Sequence, residues 1–503
     1  MADELRQPLG TGRLGAAALA ADLDGARPEQ LSGPNAPLPH RNPTSPASRE
    51  RSVRAANRVR AASRRSVTHW ASLILLGALI ALAAAAALAP WLLGAGNANA
   101  QRLAAAGIFT ASYAALAIGR VPGLAIDRAG IALVGASLMV ASGAIPLQAA
   151  YKAIDIDTLT LLLGMMIVVA NLRLSGTFAL VTGWIARHAA GPVALLVAVT
   201  VVSGVASAFL VNDAICLVLA PLVVELALAA GVRPLPYLLA TAMASNIGSV
   251  ATITGNPQNM LIGGFSGIPY ATFAGALAPV AGLGLVAMLG IVMLLHRRDF
   301  ARPAVPALVP PAPRGTNRVL VGRAMAATAA VIALFFAGQP PAKAAIVVGA
   351  ALLLTRRVKS WRVYAEVDWS LLLMFAGLFV IVAGAERRLL SPSVLAAVGR
   401  LHLDHVPVLA GVTLVLSNLV SNVPAILVLR PFVAALATPR RAWLVVAMAS
   451  TLAGNLTLLG SIANLIVAEK AGRRGVAVTF WAYLRVGVPV TLVTLGIGVW
   501  WLR

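Results

Sequence analysis

Acidic residues, histidine and cysteine are scarce in this sequence. Its 503 residues include 17 Asp+Glu, 6 His and 1 Cys. The lone Cys216 excludes an intrachain disulfide, a thiolate zinc cluster and a CxxC redox centre. The histidines His40, His69, His188, His296, His402 and His405 lie outside the apolar runs or at their ends. There is no HExxH motif, no Ser/His pair inside an apolar run and no phosphate-binding P-loop. These absences argue against a membrane-embedded hydrolase and against an ATP-driven pump in this chain. Charge of either sign makes up 11% of residues, against roughly 25% in soluble domains.

Apolar residues are what the chain has in excess. They account for 59% of it, and the mean hydropathy is +0.86. That is too much for one globular core and excludes a disordered protein, so a multi-span membrane protein is expected. The richness in Ala and Arg points to a bacterial source. The charge that remains is lopsided, with 40 Lys+Arg giving a net +23.

Residues 1–69 are rich in Pro, Gly, Ser and Arg and show no helical hydrophobic period. They read as a disordered basic tail. The tail ends in Arg49, Arg51, Arg54, Arg58, Arg60, Arg64 and Arg65, directly before an apolar run at 70–94. No folded nucleic-acid-binding motif accompanies this cluster. A cytoplasmic tail held against anionic lipid is the expectation, in keeping with the positive-inside rule. Ala98-Asn99-Ala100 has the form of a signal cleavage site, but the run before it is long enough to span.

Eleven segments read as crossings: 70–94, 103–119, 128–149, 156–173, 236–265, 271–296, 324–338, 342–355, 368–385, 441–467 and 480–502. Two further apolar stretches, 192–230 and 406–436, have polar or proline-bearing centres at Asn212-Asp213 and Ser421-Asn422-Val423-Pro424. Both read as re-entrant hairpins. With the tail inside, Arg120, Arg128, Arg173, Arg187 and the Arg-rich 297–323 linker fall on the cytoplasmic side. The C-terminus then lies outside.

The two halves of the chain repeat. Ala153-Ile154-Asp155 answers Glu366-Val367-Asp368, and Gly164 answers Gly377. Phe209 to Asp213 answers Leu419 to Val423, and Ala242 to Ser245 answers Ala447 to Ser450. Gly255 to Asn259 answers Gly460 to Asn464. The offset drifts from 213 through 210 to 205, as loop deletions would cause. An odd number of crossings separates the halves, so the repeat is inverted. The expected organisation is an extra helix and loop at 70–102, a first repeat at 103–296, a linker at 297–323 and a second repeat at 324–503. Inverted repeats with broken helices mark secondary transporters, whose binding site lies where the breaks meet.

Polar backbone inside a bilayer is tolerated only where it is buried or lines a wet cavity. Four clusters should therefore converge: Asn212/Asp213, Thr254/Asn256/Gln258/Asn259, Ser421/Asn422 and Thr457/Ser461/Asn464. Freed carbonyls suit Na+, with Asn212, Asp213, Asn256, Asn422 and Asn464 nearest to it; helix N-termini suit an anion. Interhelical hydrogen bonding alone is the competing use for such residues. Asp213 stands open between ligating a cation, carrying a proton and capping a helix. Asp155 and Asp368 read as interfacial caps, and Glu225 as a residue of the inner surface.

At Val211-Asn212-Asp213-Ala214, Gly255-Asn256-Pro257-Gln258-Asn259, Ser421-Asn422-Val423-Pro424 and Ser450 to Glu469 the sequence resembles a known group. This is the ion transporter superfamily of citrate transporter-like permeases. It holds sodium/dicarboxylate symporters, arsenite/antimonite permeases and sodium/proton antiporters. The nearest resemblance is to a bacterial anion-permease branch of unassigned substrate. In the dicarboxylate symporters each hairpin tip carries Ser-Asn-Thr, and a mobile domain carries the tips past a scaffold. Here Asn212 and Asn422 remain, both threonines are absent, and Asp213 would repel a dicarboxylate. The Asn-Asp pair looks more like the arsenite permeases.

The resulting expectation is an all-α polytopic membrane protein with about eleven spans and two re-entrant hairpins in an inverted repeat. It would sit in a bacterial inner membrane and move a small anion or oxyanion by alternating access, coupled to Na+ or H+. Sodium/proton exchange, arsenite-type efflux and a channel are the alternatives. No enzymatic activity and no cofactor beyond the coupling ion are expected. The resemblance also implies a homodimer, and no nucleic-acid partner is expected.

Overall fold

A computed structural model describes residues 88, 90, 97–118, 125–188, 191–301, 317–354 and 357–503. The basic tail at 1–69, almost all of the run at 70–94 and the linker residues 302–316 lie outside the described residues.

Among the described residues the chain forms 21 α-helices, one 3-10 turn and no strand. The first ten are α1 (Ala98–Ile118), α2 (Arg128–Ala141), α3 (Leu147–Ala153), α4 (Ile156–Leu174), α5 (Thr177–His188), α6 (Pro192–Phe209), α7 (Asn212–Ala229), α8 (Leu235–Ser249), α9 (Pro257–Ser266) and α10 (Tyr270–Leu295). A short α11 (Arg297–Phe300) leads into the linker. The second ten are α12 (Arg318–Phe336), α13 (Pro341–Leu353), α14 (Ser360–Tyr364), α15 (Trp369–Leu389), α16 (Pro392–Gly399), α17 (Val406–Val420), α18 (Asn422–Ala434), α19 (Pro439–Ala453), α20 (Ile462–Gly472) and α21 (Phe480–Trp501). Among the described residues seven helices are long and apolar enough to cross a membrane: α4, α6, α7, α10, α12, α15 and α21. Shorter apolar helices are α2, α13, α17 and α18. The protein is an all-helical multi-span membrane protein.

Local chemistry sets the boundaries. Asp155 accepts from the Thr158 backbone N–H at 3.1 Å, and Asp368 from Leu371 at 2.9 Å, so both cap a helix as their positions suggest. The apolar run at 128–149 is not one helix. It stops at Ala141, turns through Gly143 at φ +69° and restarts after Pro146. The runs at 236–265 and 441–467 are each broken in the middle, as discussed below. The arms of the first polar-centred stretch, α6 and α7, have 18 residues each. At 1.5 Å per residue that is roughly 27 Å, so length alone allows each arm to cross.

The helices pack in two groups. In one, α2 lies along α15 and α13 along α4, with α1 and α12 beside them. Glycine permits both close approaches. A Cβ at Gly164 would sit 2.5 Å from the Ala345 carbonyl carbon, and one at Gly377 would sit 2.6 Å from that of Ala132. The second group joins α6 to α8, α17 to α19, α7 to α20 and α10 to α21. The groups meet where α9 touches α4, α18 touches α15 and α17 touches α1. The order of elements from α1 to α10 recurs from α12 to α21, and the packing pairs recur with it.

Candidate functional site

The site is built from four interruptions. Between α6 and α7 the chain runs extended through Leu210 before α7 starts at Asn212. Between α17 and α18 one residue, Ser421, makes the turn at φ 78° and ψ 157°. That conformation is all but confined to glycine, so the second tip is strained.

The other two interruptions follow α8 and α19. In the first, Gly255 passes so close to Ser249 that a Cβ would lie 2.2 Å from its carbonyl oxygen. Pro257 then occupies the first turn of α9, where a missing N–H costs nothing. Asn256 caps α9, accepting from the Asn259 N–H at 2.8 Å. In the second, without a proline, Ser461 caps α20 by accepting from Ala463 at 3.2 Å.

An asparagine closes each of these turns in the same way. Asn259 Nδ2 donates to the carbonyls of Ser249 and Thr252, both at 3.0 Å. Asn464 Nδ2 donates to those of Gly454 at 2.7 Å and Thr457 at 3.1 Å. All four acceptors correspond at the 205-residue offset. Each asparagine also reaches into the other half. Asn464 Oδ1 accepts from Asn246 Nδ2 at 3.0 Å, and Asn259 Oδ1 accepts from the Thr451 hydroxyl at 3.4 Å. Asn246 and Thr451 are themselves equivalent positions on α8 and α19.

The interruptions meet at one cavity between the two helix groups. Asn212, Asp213, Gln258, Ser421, Asn422 and Ser461 line it. Thr254, Asn256, Asn259 and Asn464 do not; they are buried behind the lining and hold the breaks in shape. Thr254 shares a 2.8 Å hydrogen bond with the Tyr270 hydroxyl, and Asn256 donates to Ser249 Oγ at 2.9 Å and to Thr451 Oγ1 at 3.1 Å. Gln258 Nε2 lies 3.5 Å from Thr451 Oγ1. The N-termini of α7, α9, α18 and α20 all reach this cavity, giving it four positive dipole ends. Asn212 Oδ1 and Asn422 Oδ1 are each buried without a partner, and an amide oxygen of this kind can accept from a hydroxyl or face a cation such as Na+.

The sequence reading missed three parts of the site. Arg128, expected at the inner surface, lines the cavity and opposes Asp213 in charge. Asn246 and Thr451 are fully enclosed hubs inside apolar helices. The signal was one register step away: both directly follow the repeated Ala-Met-Ala-Ser segments. Arg430 is not among the lining residues, and its guanidinium sits 4.6 Å over the Phe265 ring. Glu225 pairs with Arg474 at 2.9 Å on the exposed surface.

Two more cavities lie among these helices. One flanks the first: it is lined by Arg173, Glu366, Asp368 and Val169, and it shares Asp213 and Leu371 with the central cavity. Arg173 and Glu366 form an ion pair there. The other, farther along α15 and α18, is apolar except for Glu386. Val382 and Glu386 in it stand 213 residues after Val169 and Arg173, so the two cavities share these equivalent positions of the internal repeat.

Known proteins share this chain's sequence and fold. The citrate transporter (CitMHS) family matches residues 113–443. A silicon efflux transporter, LSI3, of Oryza sativa subsp. japonica is 32% identical over 452 residues, covering 75% of this chain and 93% of that protein. The inner membrane protein YbiR of Escherichia coli (strain K12) is 30% identical over 341 residues, covering 68% and 86%. The crystal structure of the Alcanivorax borkumensis YdaH transporter, described as having an unusual topology, superposes with a TM-score of 0.52 at 16% identity. It covers 80% of this chain and 97% of that one, a likeness of fold alone. This chain belongs to the citrate transporter (CitMHS) family: it is a membrane transporter and not an enzyme.

Proposed function

We propose that the protein is a secondary carrier that moves a small anion or oxyanion by alternating access, coupled to Na+ or H+. The observation that carries this reading is the meeting of four helix interruptions at one cavity between two helix groups. Four helix N-termini and Arg128 favour an anion, while the free Asn212 and Asn422 oxygens and Asp213 favour a coupling cation. The binding residues on this reading are Asn212, Asp213, Gln258, Ser421, Asn422 and Ser461. Thr254, Asn256, Asn259 and Asn464 hold them in place.

The two halves are read as inverted repeats, with α6–α7 and α17–α18 as re-entrant hairpins. Their tips lie at the central cavity, which a pair of ordinary crossings would not require. The group holding α2, α4, α13 and α15 serves as the frame. The group holding the tips moves against it, opening one of the two further cavities as the other closes. The protein is placed in a bacterial inner membrane with its basic tail against the anionic cytoplasmic leaflet.

Uptake into proteoliposomes under separately imposed Na+ and pH gradients tests this reading. Uphill accumulation driven by one gradient supports it. Flux that never exceeds equilibrium would leave a channel. Asp213→Asn should abolish the coupling while the protein still folds.

A second reading is efflux of a hydroxylated neutral solute, as in the arsenite-type permeases. Asp213 and the free amide oxygens favour it, because a hydroxyl group can donate to each. One relative's name, silicon efflux transporter, is in keeping with it. Saturable movement of such a solute with no transfer of charge would select this reading.

A further inference from the structure

The hydrogen-bond polarity of the central network is fixed from its far end. The carbonyls of Gly454 and Thr457 can only accept, so Asn464 must turn its Nδ2 toward them. Its Oδ1 is then an acceptor. Asn455 is fixed likewise by donating to the Met243 carbonyl at 3.4 Å, which leaves its Oδ1 as an acceptor too. Both acceptors face Asn246, whose Nδ2 donates to them at 3.0 and 2.9 Å. Asn246 must therefore turn its Oδ1 the other way. There it accepts from Ser461 Oγ at 3.2 Å and from Asn212 Nδ2 at 3.0 Å. This contact takes one of the two N–H groups of Asn212 Nδ2 and fixes which way the amide is turned. Its Oδ1 faces away from Asn246 and is buried without a partner.

Turning Asn246 over would set its oxygen against two others and lose both donations. Asn246 is 2% exposed, so water would not make good that loss. The equivalent Thr451 serves Asn256, Gln258 and Asn259 and makes no hydrogen bond to Asn422 among those described. Only the first tip is oriented in this way.

We infer that Asn246 is a positioning residue: it passes the polarity set by the Gly454, Thr457 and Met243 carbonyls to Asn212, which thereby presents its carbonyl oxygen to Na+. This rests on the reading of the cavity as a carrier's ion and solute site, and it adds the residue that sets the ligand orientation at one tip.

The test compares Asn246→Thr with the isosteric Asn246→Val. Threonine keeps one acceptor for Asn212 and one donor for Asn464, and valine keeps neither. The purified full chain is melted while NaCl replaces choline chloride at constant ionic strength, and half-saturating Na+ is read from the rise in Tm. The expected result is a wild-type rise on Na+ addition. Half-saturation should stay within about threefold in Asn246→Thr and rise at least tenfold in Asn246→Val. In choline Asn246→Val should melt below Asn246→Thr, because it leaves Asn212 and Asn464 without this partner; half-saturation is read from each variant's own rise in Tm, which separates positioning from folding. Equal half-saturation in the two folded variants would overturn the inference. So would a wild-type protein indifferent to Na+; gradient-driven uptake by that same protein would leave the carrier reading standing.

Discussion

Asn464 holds two backbone carbonyls of its own half with Nδ2 and takes a 3.0 Å hydrogen bond from Asn246 of the other half on Oδ1. One side chain thus shapes a helix break and ties it to the opposite repeat. Asn259 performs the same two tasks in the first half, with Thr451 in place of Asn246.

Asn259→Leu and Asn464→Leu should therefore destabilise the protein to a similar degree. Each takes one donor from two carbonyls. Of these four carbonyls three keep a second partner in Asn256 Nδ2 or the Gly255 and Gly460 N–H groups, so the loss is about 1 kcal/mol for each hydrogen bond. Thermal unfolding of the purified protein checks this. Unchanged melting in either variant would show that the closure by asparagine does not stabilise the break.

Ser421 offers a test of strain. Ser421→Gly relieves a backbone conformation costing about 1–3 kcal/mol, and so should raise Tm. Ser421→Ala removes the hydroxyl but keeps the Cβ, and should not raise it. If the tip is strained for function, the glycine variant should also transport more slowly. A glycine variant that melts no higher than the alanine variant would contradict the strain.

The paired glycines in the frame predict a symmetric defect. Gly164→Val and Gly377→Val push side chains into the backbones of Ala345 and Ala132. Overpacking of this kind costs about 1–3 kcal/mol, more where backbone must move. Gly282→Val, which meets open space, should leave melting nearly unchanged. Tolerance at Gly164 or Gly377 would mean that these helices do not need their close approach.

Much of this architecture was legible in the sequence because bilayer crossing demands apolar runs, and a break within one needs polar or glycine residues. Gly255-Asn256-Pro257 announced its break through the proline. The 460–464 break carried no proline, and it is Ser461 capping and Asn464 closure that make it. The run at 128–149 hid its end at Gly143, since glycine within an apolar run reads equally well as helix packing. Asn246 and Thr451 were hidden for another reason. A single polar residue in an apolar helix has no spacing to betray it, and the partners of Asn246 in the other half lie more than 200 residues away. Arg128 was assigned by the charge rule for loops, which does not see that a helix N-terminus can face an interior cavity.

The Arg173–Glu366 pair joins α4 to the segment before α15 at the mouth of one flanking cavity. Its side chains are 38% and 26% exposed, so Glu366→Gln should change stability by less than about 1 kcal/mol. Arg173→Cys with Glu366→Cys, joined by a reducible bifunctional thiol reagent long enough to replace the ion pair, should instead hold that cavity in one shape and arrest transport reversibly. Cys216 is buried and should not interfere. Full transport by the cross-linked protein would remove this cavity from the path.

The central claim is that one cavity, bounded by both repeats, faces the two sides of the membrane in turn. Val423 lines it, and Val423→Cys in a Cys216→Ser background gives a single reporter. An impermeant thiol reagent would be applied to right-side-out and inside-out vesicles under opposed ion gradients. The account predicts labelling from either side, with the favoured side reversing when the gradient is reversed. Labelling from one side only under every condition would contradict it.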